Sequence, residues 1–169
     1  MHSKHPDWIE ARADVFENVP FAALRIGQRA RLVRRVTRET IEHFAASTGD
    51  VNPAHLDEGY ARASRFGGII AHGMWSGALI SAVLGTLLPG PGTIYLEQTL
   101  KYLKPVRPGD VLSAEVTVAA LRRSATALNW NAKCATRTAM RWCAAWPRCW
   151  RRWSQCGARG PSCKPSESK

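Results

Sequence analysis

The sequence predicts an α+β domain in which an antiparallel sheet is laid around one long buried helix. Three observations carry this reading. The stretch from about residue 73 to 88 is apolar nearly all round, with Ser76, Ser81 and Thr86 as exceptions. A helix of that kind is normally enclosed by the rest of its domain. Pro89-Gly-Pro-Gly92 then stops it. Beyond the stop, Thr93–Lys104 and Val111–Leu121 read as consecutive strands joined through Pro105 and a Pro108-Gly109-Asp110 turn. A helix followed by hairpin-linked strands belongs to an α+β fold rather than to alternating parallel units.

The earlier elements follow from local signals. Residues 1–20 read as a polar N-terminal extension or a short helix, with scattered apolar positions at Trp8, Ile9, Val15 and Phe16. Ala30–Val36 reads as a basic strand after a turn at Gly27. Thr37 is an N-cap candidate, and Glu39 and Glu42 follow it, where negative charge complements the helix dipole. Ile41, Phe44, Ala45 and Thr48 recur at helical spacing, and Gly49 stands where a left-handed C-terminal residue belongs. Asp50–His55 is expected to be a loop, because Pro53 biases Asn52 away from helix. Glu58–Ala63 suggests a short helix, and Phe66–Gly73 is a glycine-rich approach to the buried one.

Charge and cysteine content divide the chain unevenly. It has 169 residues, a formal net charge of +11 and 45% apolar content, an ordinary value for a folded protein. Residues 1–120 hold thirteen basic against twelve acidic residues, whereas residues 121–169 hold eleven against one, Glu167. All five cysteines and five of the seven tryptophans also lie after residue 120. The organisation read from this is an extension over 1–20, a domain over 21–121 and an atypical basic, Cys/Trp-rich segment over 122–169. Leu128, Trp130, Ala132 and Cys134 alternate with polar residues, which allows one strand there. Trp142–Trp153 has no such pattern, and Pro147 would interrupt a central strand. The composition matches a GC-rich gene read out of frame. The competing reading, a basic appendage for nucleic acid, has no binding module behind it.

The same counts exclude several classes of protein. The cysteines lack close pairs or neighbouring histidines, so no metal site is expected. No apolar run reaches the ~20 residues of a membrane span. The N-terminus lacks the apolar core of an export signal, so the expected location is cytoplasmic.

Asp50 and His55 are the candidate catalytic pair. A carboxylate and an imidazole five residues apart on one tight turn can converge on a single water and move protons to and from it. Spacing alone also allows a capping Asp and a structurally satisfied His. Gly73 opens the buried helix, where free N–H groups and the helix dipole suit an oxygen that gains charge during a reaction. Ser81, two turns further on, either bonds back to a carbonyl or faces a ligand.

Gly49-Asp-Val-Asn-Pro-Ala-His55 followed by Phe66-Gly-Gly-Ile-Ile-Ala-His-Gly-Met74 resembles the MaoC-like dehydratases, the (R)-specific enoyl-CoA hydratases. Leu96–Val106 and Pro108-Gly-Asp110 look like the same family, so the resemblance covers about residues 21–121. It implies a hot-dog fold, a homodimer and an acyl-CoA or acyl-carrier-protein thioester substrate. It implies reversible hydration of a trans-2-enoyl thioester to the (R)-3-hydroxyacyl thioester, with no cofactor. Asp50 and His55 then match the pair that activates water, and Gly73 matches the backbone donor to the thioester carbonyl. Asn52, His72 and Ser81 match further substrate-site positions. A hot-dog thioesterase is disfavoured because helix 74–88 has no Asp or Glu. A non-catalytic acyl-thioester-binding domain is disfavoured by the intact Asp50/His55 pair.

Overall fold

A computed structural model of the chain describes residues 8–10, 17–122, 127–136 and 148–150. One six-stranded sheet runs in the order β1-β2-β4-β5-β6-β3. Its strands are β1 (Trp8–Glu10), β2 (Arg29–Arg35), β3 (Ile94–Glu97), β4 (Val111–Arg122), β5 (Ala127–Thr136) and β6 (Arg148–Trp150). All neighbours pair antiparallel except β1, which lies parallel to β2. The helices are α1 (Arg38–Thr48), α2 (Pro53–Leu56), α3 (Glu58–Ala63) and α4 (Gly73–Thr86).

The helix signals act as their chemistry requires. The Thr37 side chain accepts from the Thr40 N–H, and Gly49 ends α1 at φ 75°. Only Gly adopts that left-handed conformation without strain. Ile41 and Ala45 of α1 are buried, whereas Thr48 at the end of the same stripe is exposed. The expected loop at Asp50–His55 is in part a helix. Asn52 is extended and caps α2 through its side chain, and Pro53 takes the first helical position, where its missing N–H costs nothing. Proline kept Asn52 out of the helix and started one at the same time.

Helix α4 packs on β2, β4 and β5. Ile80, Val83 and Leu84 are fully buried against Ala30, Val116 and Ala132. Strand β4 alternates strictly, with Leu112, Ala114, Val116 and Val118 inward and Ser113, Glu115 and Thr117 less buried. That is the pattern of a sheet with one face on a core. Gly90 closes the turn after α4 at φ 90°, and a Cβ there would come within 2.6 Å of the Glu17 carbonyl oxygen. No helix among the described residues is long and apolar enough to cross a membrane.

Two strand expectations need revision. The run Thr93–Lys104 is a strand only over Ile94–Glu97, where β6 takes its backbone hydrogen bonds. An extended segment becomes a ladder only where a neighbour pairs with it. Residues 98–104 instead cross the N-terminal half of α4, with Leu100 against Gly77 and Tyr102 against Gly73. The N-terminal extension contributes β1, which sequence pattern did not mark. Strand β5 falls on the alternating run around Leu128–Cys134, and Cys134 is buried as a small apolar residue would be. Most of the atypical segment after Thr136, including Pro147, lies outside the described residues.

Because Ile80 is completely enclosed, Ile80→Ala should destabilise the domain by about 2–5 kcal/mol, the usual cost of such a cavity. Chemical denaturation of parent and variant checks this. A loss below ~1 kcal/mol would mean that α4 is not enclosed as described.

Candidate active site

The site forms where the turn after α1 meets the segment entering α4. His55 on α2 places Nδ1 2.7 Å from the Ile70 carbonyl oxygen. A carbonyl only accepts, so Nδ1 carries the proton, and in the neutral ring the lone pair is left on Nε2. His72, the residue before α4, places Nε2 2.9 Å from the Asp50 carbonyl oxygen. By the same argument Nε2–H donates there and the lone pair lies on Nδ1, a buried atom with no partner among the described residues. The two imidazoles stack with centroids 3.9 Å apart and planes inclined at 34°. Phe44 of α1 covers His72 at 5.0 Å.

A carboxylate oxygen of Asp50 and one ring nitrogen from each histidine all lie within 4.8 Å of one another. Groups at such separations can share one water at ordinary hydrogen-bond distances of ~2.8 Å. Among the described residues these are also the one set of His, Cys, Asp and Glu side chains close enough to share a metal ion. The Asp50 carboxylate is exposed and accepts a long 3.4 Å bond from the Asn52 N–H.

A cavity of about 340 Å³ opens beside the histidines, lined among others by His55, His72, Gly73, Ser76 and Tyr102. That volume suits a small ligand. Gly73 is the first residue of α4, so its N–H has no acceptor within the helix. A Cβ on Gly73 would meet the Tyr102 ring at 3.3 Å, which shows how closely the backbone is approached there. Arg65 and Lys104 bring positive charge to the lining, and among the described residues no acidic one lines it.

The other expected site residues are dispersed. The Asn52 side chain accepts from the Ala54 N–H at 3.0 Å and so shapes the turn that carries His55. Ser81 is exposed on α4 and does not line this cavity. Ser76, buried one turn into α4, does line it and was marked in the sequence only as a break in an apolar helix. Its spacing of three from Gly73 was the available signal. Tyr102 was hidden inside a run read as regular strand.

A sheet wrapped on one buried helix, with an Asp and two His gathered at that helix's N-terminal end, defines a hot-dog domain with a polar site at the helix entrance. The chain belongs to the family described as the MaoC like domain, whose profile matches residues 22–136. It is 50% identical over 101 residues to the (R)-specific enoyl-CoA hydratase of Rhodospirillum rubrum, covering 60% of this chain and 70% of that protein. It is 46% identical over 101 residues to the 3-hydroxybutyryl-CoA dehydratase of Methylorubrum extorquens, covering 60% of this chain and 64% of that protein. The solved structure of unliganded R-hydratase PhaJ1 from Pseudomonas aeruginosa superposes with a TM-score of 0.76 at 35% identity. That superposition covers 90% of this chain and 97% of that one.

The two carbonyl bonds fix opposite tautomers. Neutral His55 should carry its proton on Nδ1 and neutral His72 on Nε2. Nitrogen-15 shifts of protein labelled at histidine read this directly, and a reversed pattern would exclude these bonds.

Proposed function

We propose that this chain adds water reversibly to a trans-2-enoyl thioester and yields the (R)-3-hydroxyacyl thioester. The observation that carries the reading is the pairing of His55, oriented by the Ile70 carbonyl, with the Asp50 carboxylate beside the Gly73 helix entrance. Water placed between them loses a proton to the Nε2 lone pair of His55 as its oxygen bonds to C3. The proton is returned to C2 on the same face, which leaves the enzyme unchanged and the product hydrated. Asp50 orients the water and steadies the charge that His55 gains. Negative charge that builds on the thioester oxygen is met by the Gly73 N–H and the positive end of α4. The reaction is redox-neutral and asks for no cofactor.

The relatives at 50% and 46% identity are named for coenzyme A thioesters, which supports that carrier over a protein-bound one. A hot-dog thioesterase with its carboxylate on the central helix is not supported, since α4 has no acidic residue.

The same reading extends to a homodimer. Met74 on α4, Ile94 and Leu96 on β3, and Tyr102 and Leu103 beyond it are each 47–57% exposed. Four of these lie on the run 94–103, the Tyr102 hydroxyl meets Met74 Sδ at 3.0 Å, and large exposed apolar side chains favour burial against a second copy.

Two measurements follow. Asp50→Asn and His55→Gln should each slow crotonyl-CoA hydration by at least ~100-fold, the scale of losing a proton-transfer group or the carboxylate that orients and steadies it. Loss of the enoyl thioester absorbance follows the rate, and near-parent turnover in either variant removes that residue from the mechanism. Sedimentation equilibrium should give twice the 18.7 kDa chain mass. A monomer at micromolar concentration would overturn the dimer.

A further inference from the structure

We propose that His72 is a positioning residue for this reaction: it clamps the main chain at Asp50 through Nε2–H and backs the His55 ring with its face. The inference rests on the hydratase reading above. His72 presents an energetic anomaly. His72 is only 2% exposed, so an imidazole has been withdrawn from water. Burying such a polar group is unfavourable unless its hydrogen bonds are replaced. Here one nitrogen is satisfied by the Asp50 carbonyl, and Nδ1 has no partner among the described residues. A phenylalanine or leucine would fill the space without that cost. The hydrogen bond that the histidine makes and they cannot is the one from Nε2–H to the Asp50 carbonyl.

That N–H has a particular task. Ala54 and His55 hold the far end of the turn to Ile70, but the other hydrogen bonds described at its Asp50 end are local. The Asp50 N–H reaches Thr48 Oγ1 at 3.3 Å, the Val51 N–H reaches the Gly49 carbonyl at 3.0 Å, and the Asn52 N–H reaches the Asp50 carboxylate at 3.4 Å. Such bonds shape a turn but do not anchor it to the domain. Among the described residues, the His72–Asp50 bond is the one that ties the Asp50 main chain to a distant segment. Gly49 beside it is in the permissive left-handed region, so without an anchor the turn has a hinge at its root.

The ring face serves the second partner. His72 lies between Phe44 and His55, with centroids 5.0 and 3.9 Å away, and so limits how far the His55 ring can tilt about its Ile70 bond. One buried side chain therefore holds both members of the acid–base pair.

Two variants separate the roles. His72→Phe keeps an aromatic face and removes the donor. His72→Gln removes the ring and can return an N–H to the same carbonyl. Crotonyl-CoA hydration should show kcat reduced at least ~30-fold in His72→Phe with KM within ~3-fold, since displacements near 1 Å cost about that much or more. His72→Gln should recover to within ~5-fold of the parent. Amide hydrogen exchange over residues 49–55, read by mass spectrometry, should speed up in His72→Phe and return toward parent rates in His72→Gln. Near-parent kcat in a folded His72→Phe, or a His72→Gln no better than it, overturns the proposal. Should His72→Phe not fold, His72→Gln decides alone: kcat near parent supports the clamp, and a ~100-fold loss with unchanged melting overturns it. A parent that hydrates no enoyl thioester defeats the hydratase reading, while unchanged exchange over 49–55 in His72→Phe independently defeats the clamp.

Discussion

Everything at the site depends on a reciprocal tie between two short segments, the turn over residues 49–55 and the stretch over residues 69–73. His55 donates to the Ile70 carbonyl, the Ile70 N–H reaches the Ala54 carbonyl at 3.3 Å, and His72 donates back to the Asp50 carbonyl. Each segment thus supplies a side-chain donor to the other's main chain. Buried or half-buried bonds of this kind are each worth only ~1 kcal/mol net, but losing one leaves a polar group without its partner. The geometry around the two imidazoles is therefore set jointly, and neither segment would hold its histidine in place alone.

The tie is useful because of what stands behind it. Ala71 N–H bonds the Val106 carbonyl at 2.7 Å, which joins the second segment to the chain leading into β4. Immediately afterwards α4 enters the core with Ile80, Val83 and Leu84 fully buried. One helix therefore supplies both the apolar centre of the domain and, at its first residue, an exposed amide end on the cavity wall. Its first two turns carry Gly73 and Gly77, and Tyr102 and Leu100 fill the space their missing side chains leave. Smallness at these positions lets the crossing segment lie close enough to wall the cavity.

The sheet is less uniform than its order suggests. Strands β2 and β4 close the core with residues whose inward positions are apolar, and β5 adds Ala132 and Cys134 to the same cluster. Strand β5 lies within the segment where charge and composition change, yet the family match continues through it to residue 136. Alternation is what a strand needs to pack one face, and residues 128–134 retain it despite their unusual composition.

Much of this was legible in the sequence because it depends on local chemistry. Thr37 and Gly49 bound α1 through a cap and a left-handed residue, and the apolar run before Pro89 marks the buried helix. The strict alternation of β4 gives its inward face, and Asp50, His55 and Gly73 stand out by residue type and spacing. What depends on distant partners was not legible. Whether Thr93–Lys104 is a strand is decided by a neighbour's hydrogen bonds, and β1 exists only by pairing with β2. The place of Ser76 on the cavity wall, and of Ser81 away from it, follows from how α4 is rotated in the core. His72 is the clearest case. By sequence it matches a substrate-site position, but only the packed structure brings its Nε2–H to a carbonyl 22 residues earlier in the chain. Residue type and spacing specify which groups are available, but hydrogen bonds and ring contacts across the fold decide which of them meet.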